Sequence, residues 1–432
     1  MEPEDAPYSV KLHQADAAEL AKSGAILLIL NVPPGTSFGF NTQMFVVGPN
    51  FLGVKMLLPG PHFVYYSARS RHGGDSSPVT GFFIYASPSQ VIVREWDIQE
   101  ERLVKLKDSS EEERYELAAR RMEFDRQLAP YNLDRHKNWQ FLSNFISQKV
   151  ISQIEPVEGD ISVMAEAALV QQAAKTPAER RMYEQIAKGR EQLLQKISSM
   201  SGDNNDNQGQ NKDQLDKIEN TELPGNKKTT GRCFYTHVPH FVKQTGMMAS
   251  ELTALNMDKT QLLELVIGKE YEGEEELLLG ELQFCFIAFL MGQSLESFGQ
   301  WKTLVSLLLR CEDAPLKTRT ILYVKFLKII YWQLNLSLQP EDKSNNPSAA
   351  SDLLLDDGWL LEDNFLKLLF KDFFDMLRDA SPVDGELLRQ ASRLRNLVEN
   401  TLGWIFDVDN GGGEEDDEYA PVVVDQEDLR DN

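Results

Sequence analysis

The sequence predicts a two-domain α+β protein: an N-terminal antiparallel β-sandwich-like domain with flanking helices, and a C-terminal all-α bundle or short superhelix followed by a disordered acidic tail. Short apolar runs separated by proline- and glycine-rich turns fill residues 24–96, which is typical of an antiparallel sandwich or barrel. Apolar residues recur at helical spacing from 257 to 404. A polar stretch with almost no apolar residues separates the two regions.

These changes of pattern place the domain boundaries. The N-terminal β-rich domain, with helices at its C-terminal end, covers residues 1–155, and the α-helical domain covers 232–409. Between them, 156–231 is a variable segment, partly helical and then low in complexity, and 410–432 is the acidic tail with a β-strand segment. The polar part, 201–231, predicts a flexible linker that spans about 30 Å as a random coil, which is long enough to allow the two domains to shift relative to each other.

The predicted strands are apolar runs of strand length. The first, AILLILNV at residues 25–32, is continuously apolar, and it is followed by MFVVG, GVKMLL, HFVYYS, TGFFIYA and QVIVREW. The segments between them, PPGTSFG, GPN, PGP and RHGGDSSP, carry the residues that turns prefer. Antiparallel pairing is the expected arrangement because such turns join neighbouring strands directly.

The period changes to a helical one after residue 108. Ser109 with Glu112, or Ser110 with Glu113, fits a capping box at a helix start. The same two serines precede acidic residues and also fit an acidophilic phosphorylation site, and the two interpretations are compatible.

Two further helical segments are predicted before the linker. After Leu133, NWQFLSNFIS places Trp139, Leu142 and Ile146 on one face of a helix. Residues 161–200 are rich in Ala, Gln, Lys and Glu and are expected to be helical, with weak amphipathicity.

The C-terminal domain is predicted to consist of antiparallel amphipathic helices with short connections. Its segment Gly280–Phe298, GELQFCFIAFLMGQSLESF, is apolar nearly all round, so we expect it at the centre of a helical layer. The helices around it come from WKTLVSLLLRCED, RTILYVKFLKIIYWQLNLSL, EDNFLKLLFKDFFDMLRDA and GELLRQASRLRNLVENTLGW.

Composition limits the partners and the compartment. With 44 basic and 67 acidic residues the net charge is −23, which argues against direct nucleic-acid binding and suits a basic protein partner. The N-terminus MEPEDAPYSV lacks an apolar h-region, so no signal peptide is expected. The longest apolar run, near Leu282–Met291, is shorter than the about 20 residues that span a bilayer. We therefore expect a cytoplasmic and nuclear protein without membrane contact.

No catalytic motif stands out, and the sequence predicts a protein that is not an enzyme and has no cofactor. It has no GxSxG, HExxH, Walker A loop or GxGxxG after a strand. An enzyme built on the β-domain remains an alternative, with His62 and Tyr65 lining a pocket. A cleft with converging polar side chains would favour that alternative, and a filled apolar core would count against it.

Two weaker constellations are better explained by structure than by chemistry. His237 and His240, three residues apart in THVPHFV, would need Cys233 to complete even a partial metal site, and we expect packing instead. The acidic pair Glu274 and Glu276 stands at a helix start, where the helix dipole favours negative charge.

The C-terminal tail contains a strand without a sheet. GGGEEDDE cannot fold alone, because glycine adds backbone entropy and the carboxylates repel one another. It is followed by Tyr419, Ala420, Pro421 and Val422–Val424, which have strong β-propensity, with proline where a strand tolerates it. Such a segment is expected to dock on an exposed sheet edge, of a partner or of its own N-terminal domain.

Three stretches taken together resemble one family. They are LLLGELQFCFIAFLMGQSLESFGQWKTLVSLLLRCE, GAILLILNVPPGTSFGFNTQMFVVGPNFLGVKMLLPGPHFVYYS and the terminal APVVV, and they are similar to the Aar-two splicing factor family, also called the cistron-splicing factor. The resemblance covers Gly24 to about Ile154 and Cys233 to Val424.

The resemblance implies an assembly factor of the U-five small nuclear ribonucleoprotein. Family members bind the large central scaffold protein of the spliceosome at its RNase H-like and Jab/MPN-like domains, and their C-terminal tail adds a strand between those two domains. Carried onto this chain, the partner-binding residues are Tyr419, Pro421, Val422, Val423 and Val424. The alternative is a generic acidic adaptor or chaperone for another basic protein outside splicing.

Overall fold

The computed structural model describes residues 20, 22–68, 77–163, 166, 232–239, 257–338 and 365–406. The predicted linker 201–231 and the acidic tail 410–432 lie outside the described residues, as do the residues 167–200 that were expected to be helical.

The N-terminal region is β-rich, with two five-stranded sheets. The strands are Ala25–Leu30 (β1), Ser37–Phe40 (β2), Gln43–Val46 (β3), Gly53–Leu57 (β4), Gly60–Ser67 (β5), Thr80–Ala86 (β6), Val91–Asp97 (β7), Arg102–Val104 (β8), Leu128–Pro130 (β9) and Ile161–Ser162 (β10). Sheet 1 has the order β8-β7-β1-β4-β9, and sheet 2 has the order β10-β6-β5-β2-β3. The predicted two-sheet arrangement is confirmed.

Sheet 1 is mixed rather than antiparallel. β1 runs parallel to β7, with Leu27 opposite Ile92, and β4 runs parallel to β9. Sheet 2 pairs only antiparallel strands. The reason is that β1 and β2, and likewise β4 and β5, are consecutive but belong to different sheets, so the parallel partners in sheet 1 are joined by long crossovers. Only β7 and β8 of this sheet are joined by a short turn.

The strand β2 lies in a segment that was predicted to be a turn. Phe38 and Phe40 are buried between the sheets, and Gly39 between them lies under the ring of Tyr65. A Cβ at position 39 would lie 2.1 Å from that ring, so only glycine fits there. Ile161–Ser162 also differs from expectation, because it pairs with β6 as β10 instead of starting a helix.

The remaining regular elements of the described residues are helices. They are Ser109–Arg120 (α1), His136–Ser143 (α2), Gln148–Ile154 (α3), Thr260–Glu270 (α4), Glu275–Leu290 (α5), Leu295–Leu309 (α6), Thr320–Ser337 (α7), Phe365–Asp379 (α8) and Gly385–Leu402 (α9), with a π-helical turn at Ala314–Thr318 and 3₁₀ turns at Asp125–Gln127 and Leu133–Arg135. The region from α4 to α9 is helical, as predicted. Trp139 and Leu142 are buried on one face of α2, which confirms that part of the sequence prediction.

The capping box predicted at α1 is wrong. Asp108 is the N-cap, and its carboxylate accepts hydrogen bonds from the backbone N–H of Ser110 at 2.9 Å and from the Ser110 hydroxyl at 2.8 Å. Ser109 and Ser110 are therefore inside the first turn of the helix. Asp is as good an N-cap as Ser and stands one residue earlier.

The centre of the helical domain is α5, as expected from its apolar surface. Residues 277–290 of this helix are all buried. The segment Gly280–Phe298 nevertheless contains two helices, because the chain breaks after α5 and the Ser294 hydroxyl caps α6 by accepting from the backbone N–H of Ser297 at 3.1 Å.

The β-domain and the helical domain share one hydrophobic core. The Phe83 ring of β6 stacks on the Phe284 ring of α5 with centroids 4.3 Å apart. The buried Gln283 amide accepts from the backbone N–H of Phe145 at 2.8 Å and donates to the Asn144 side chain at 2.8 Å. In the described residues, the two domains are therefore joined by direct packing and not only through the polar linker.

Candidate functional site

The acidic tail leaves the fold from a fixed point. The helix α9 ends at Gly403, whose φ of 65° is left-handed and whose N–H donates to the Glu399 carbonyl at 3.1 Å. Beyond it, Trp404 and Phe406 are buried, and the Phe406 ring lies 5.3 Å from the Phe374 ring of α8. Apolar anchoring of this kind holds the start of the tail against the helical domain.

The tail residues predicted to bind a partner lie outside the described residues. Tyr419, Pro421, Val422, Val423 and Val424 all follow residue 406, the last one that the structure describes. Their strand therefore stays a prediction, and what the structure adds is the position from which the tail departs.

A second candidate surface lies where the two domains meet, and the sequence analysis did not single it out. The Phe141 ring of α2 stacks on the Trp332 ring of α7, with centroids 4.1 Å apart and planes 4° apart. Beside this pair is a cavity of about 50 Å³, here called the junction pocket, lined by Asn138, Leu142, Trp332, Asn335 and Leu336. The signal in the sequence was the adjacent Tyr331–Trp332 pair, whose side chains are half-buried at the edge of the core.

Basic side chains of α7 and α9 lie near Trp332, and one of them, Arg393, contacts this lining residue of the junction pocket. The Arg393 guanidinium lies 3.8 Å from the centroid of the Tyr331 ring and 5.6 Å from that of Trp332, which are cation–π distances. Lys328 and Arg389 both pair with the single carboxylate of Glu386. We call Lys328, Arg389 and Arg393 the arginine face; with one acid among three bases, it carries net positive charge on a chain of net charge −23.

The basic side chains of the arginine face stabilise the charged form of the Glu386 carboxylate. Hydrogen bonds from Arg389, Gln390 and Lys328 lower the pKa of Glu386 to about 2, so its carboxylate is ionised at every physiological pH. Arg393 makes no ion pair with the described residues, and its guanidinium remains available to a further carboxylate.

Comparison with known proteins identifies the architecture. Residues 23–156 match the family model of the AAR2 N-terminal domain, and residues 235–407 match that of the AAR2 C-terminal repeat region. The chain belongs to the AAR2 family. This confirms the resemblance to the Aar-two family, whose members are splicing-related factors.

Similar AAR2 proteins align over nearly their whole length. Protein AAR2 homolog of Homo sapiens is 29% identical over 412 residues, covering 94% of this chain and 96% of that protein. The homolog of Mus musculus is 29% identical over 429 residues, with 96% and 97% coverage, and that of Caenorhabditis elegans is 24% identical over 392 residues, with 90% and 96% coverage.

The histidine proposed for an enzymatic pocket is a core residue in this AAR2 chain. His62 is 1% exposed; its Nδ1 accepts from the Asn41 amide at 3.0 Å and its Nε2 lies 2.7 Å from the Leu58 carbonyl oxygen. Burial lowers the pKa of His62 to about 4. Asn41 also donates to the Tyr131 hydroxyl at 3.0 Å, which closes a buried polar network.

Tyr65 does not complete an active site with His62. Its side chain is 6% exposed and packs over Gly39 within the shared core, and burial raises the pKa of Tyr65. Tyr65 packs in the core shared with the helical domain, whereas His62 is linked through Asn41 to Tyr131 in the core between the sheets. The two side chains therefore face opposite sides of β5, and the enzymatic alternative has lost both residues on which it depended. AAR2 proteins are splicing factors and are not known as enzymes.

The suggested metal constellation is not assembled by the described residues. His237 is exposed, and His240 lies outside the described part of the chain. Cys233 is buried, and burial raises the pKa of its thiol to about 12, which disfavours the thiolate that binds metals. Across the described ranges, no group of three or more His, Cys, Asp or Glu side chains is placed to hold a metal ion.

The acidic residues at the start of α5 form ion pairs with other elements. Glu276 pairs with Lys325 of α7 at 2.8 Å, and Glu274 lies 3.8 Å from Lys149 of α3. Their arrangement is that of solvent-facing ion pairs and not of a catalytic dyad.

The serines suggested as phosphorylation sites are accessible. Ser109 and Ser110 are both exposed at the first two positions of α1, where a phosphate would meet the positive end of the helix dipole. Modification of either serine stays a prediction.

A buried carboxylate that sequence reasoning missed holds the extended segment 232–239 in place. Glu281 is 2% exposed and accepts from the Thr236 N–H at 2.9 Å, the Thr236 hydroxyl at 2.7 Å and the Tyr271 hydroxyl at 2.9 Å. Burial raises the pKa of Glu281. A lone Glu within the apolar run LLLGELQFCF was the available signal.

In the described residues, no helix is both long and apolar enough to cross a membrane.

Proposed function

We propose that this AAR2-family chain is a non-catalytic assembly chaperone of the U-five small nuclear ribonucleoprotein. It binds the large central scaffold protein of the spliceosome at its RNase H-like and Jab/MPN-like domains. The observation that supports this most is the fixed departure of the tail at Phe406, beside a helical domain with a filled core. A tail held in this way presents its valine segment next to a folded contact surface.

The valine segment binds by adding a strand to the partner. An extended peptide docked on a sheet edge gains main-chain hydrogen bonds, and its side chains enter pockets on alternate faces. Val422, Val423 and Val424 have the β-branched side chains that this mode favours, and Pro421 precedes them where its missing N–H costs nothing.

Energetics require a second contact besides the strand. Burial of each valine contributes roughly 1.5–3 kcal/mol, and each hydrogen bond adds about 0.5–1.5 kcal/mol net. Ordering each residue costs about 1–2 kcal/mol of backbone entropy, so the strand alone binds weakly. Contacts of the helical domain raise the effective concentration of the tail to the mM range and make the combined binding tight.

The charge of the chain suits a partner that has basic surfaces. With net charge −23, the chain covers RNA-facing basic regions of the scaffold until assembly is complete and does not itself bind nucleic acid. This role places it in the cytoplasm and the nucleus. Phosphorylation at Ser109 or Ser110 is the accompanying candidate signal for release.

Substitution of Val423 by Asp tests the strand. We expect V423D, and truncation after Glu418, to weaken scaffold binding by at least about tenfold, because a buried charge replaces an apolar side chain and about 1.4 kcal/mol corresponds to a factor of ten. Calorimetry with the purified scaffold domains measures the change.

Leu429→Asp is the matched control, since it makes the same kind of replacement in the same tail beyond the strand. Equal affinity of V423D and the unmodified chain would refute strand addition. Affinity purification from cell extract decides between this function and the alternative of a generic acidic adaptor: recovery of a basic protein outside splicing, without the scaffold, would favour the adaptor.

A further inference from the structure

The arginine face and the junction pocket together have the chemistry of a peptide-binding site. Trp, Tyr and Arg are the side chains that dominate binding energy at interfaces, and Trp332, Tyr331 and Arg393 lie within 6 Å of one another here. Stacking on Tyr331 holds the Arg393 guanidinium in place, which reduces the entropy lost when it binds a carboxylate.

The junction pocket has the size of one branched aliphatic side chain. Its volume is about 50 Å³. A water-sized group needs about 10–15 Å³ of such space, so about four heavy atoms fit, and valine has three in its side chain. Asn138 and Asn335 supply amide groups at the rim of the pocket that suit the backbone of an extended segment.

We propose that, in the absence of a partner, this chain's own acidic tail docks here: carboxylates of Glu414–Glu418 pair with the arginine face, and one of Val422–Val424 enters the junction pocket. The proposal builds on the proposed function, since it gives the same valines a resting place that partner binding must displace. The surface is then an inhibitory contact that competes with strand addition.

The departure point of the tail favours a contact within the same chain. The Arg395 guanidinium lies 6.0 Å from the centroid of the Phe406 ring, so the tail starts beside α9, two residues from Arg393 in sequence. An α-helix with its side chains is about 10–12 Å wide, and the eight residues from Phe406 to Glu414 extend to roughly 26–29 Å. The tail therefore reaches the arginine face easily.

Charge also selects the chain's own tail over an acidic segment of another molecule. A free acidic peptide is repelled by a protein of net charge −23, whereas a tethered segment is already present at an effective concentration in the mM range. The arginine face lies within reach of the tail and supplies positive charge that attracts its carboxylates.

Distances between two spin labels in the full-length chain test the proposal. One label is attached at D425C in the tail and the other at K137C, an exposed position of α2 beside Asn138 of the pocket. The native thiols of Cys233, Cys285 and Cys311 are all buried, so labelling is selective. We expect a short-distance population, which R393E reduces by about tenfold, as loss of about 1.4 kcal/mol would do.

Two further variants make the result decisive. R114E reverses an exposed arginine of α1 and should leave the distances unchanged. Neutralising the tail by E414Q, E415Q, D416N, D417N and E418Q should abolish the short population without touching the folded domains, and thermal unfolding verifies that R393E still folds.

The proposal is overturned if the distances are broad in the unmodified chain, or if a short population survives both R393E and tail neutralisation. Because no partner is present, the outcome is separate from that of the proposed function: short distances in a chain that fails to bind the scaffold would refute only the latter. Where both hold, R393E should strengthen scaffold binding several-fold, since the resting contact no longer competes.

Discussion

At the scale of single residues, buried polar side chains fix irregular segments to both cores. His62 connects β5 to the Leu58 carbonyl and, through Asn41, to Tyr131. Because every donor and acceptor of the ring is used in its neutral form, protonation inside the fold would break a hydrogen bond and bury a charge.

The burial of His62 should make the folded chain less stable as the pH falls. Its pKa is about 4 in the folded chain and 6.5 in the unfolded chain, so between these values the unfolded state binds more protons and stability falls as pH falls. The free energy of unfolding should lose about 2 kcal/mol from this residue between pH 7 and pH 5. Urea unfolding of the unmodified chain and of His62→Gln at both pH values measures it.

Comparison of the loss in unfolding free energy between pH 7 and pH 5 in the unmodified chain and in His62→Gln isolates the contribution of His62. Asp160, whose pKa burial raises to about 6, titrates in the same range but is present in both proteins. The variant should therefore show the smaller loss on acidification. Equal losses in the two proteins would mean that His62 binds its proton equally well in the folded and the unfolded chain, so that burial does not lower its pKa.

At the scale of secondary-structure elements, the N-terminus of α6 contacts both ends of the segment that connects the two domains. The Glu166 carboxylate accepts from the backbone N–H of Leu295 at 3.0 Å and of Glu296 at 3.2 Å. On the other side, the Arg232 guanidinium donates to the Glu296 carboxylate at 3.2 Å. Both ends of residues 167–231 are thus held at one helical turn.

Excision of residues 168–230 should leave the fold intact. A glycine–serine linker of about eight residues spans about 16 Å, enough to join ends held at one turn of helix. Shortening the loop about eightfold should stabilise the chain by up to about 2 kcal/mol. Circular dichroism during heating measures this as an equal or slightly higher Tm.

A longer excision, of residues 160–230, provides the contrast. It removes β10 and the Glu166 cap, whose loss alone costs about 1 kcal/mol, and should lower the Tm. A fall in Tm of the same size for both excisions would show that residues 168–230 contribute to the fold after all.

Strands and helices were predicted correctly where a single sequence pattern was present, and they were missed where two patterns in the same segment favoured different structures. Continuous apolar runs gave β1, β5, β6 and β7, and helical periodicity gave α7 and α9. The strand at Ser37–Phe40 was missed because its flanking Pro and Gly outweighed two core phenylalanines. The cap was misplaced because Asp108 and Ser109 are equivalent as local signals, and only the backbone geometry distinguishes them.

At the scale of the whole molecule, the two domains behave as one packed body. Strand pairing in parallel and the contact between Phe83 and Phe284 join residues far apart in sequence, so no local pattern reports them. The junction pocket was unpredictable for the same reason, since Asn138 and Leu142 meet Trp332 and Asn335 only after the domains have docked. The strand predicted in the tail stays a prediction; it rests on the β-propensity of Val422–Val424, which contrasts with their acidic surroundings.

A matched pair of glycine substitutions tests this shared core. A Cβ at Gly280 in α5 would lie 2.5 Å from the Phe145 carbonyl oxygen of the β-domain, whereas a Cβ at Gly299 in α6 meets nothing within 4 Å. Both changes to alanine favour the helix by about 0.8–1 kcal/mol. We expect Gly299→Ala to stabilise the chain by about that amount, and Gly280→Ala to destabilise it by about 1–3 kcal/mol, because the domain contact must open to admit a methyl group. Calorimetry should show one transition for the unmodified chain and for Gly299→Ala, and a lower, broadened one for Gly280→Ala. Equal stabilisation by the two substitutions would show that α5 and the β-domain are not in close contact in solution.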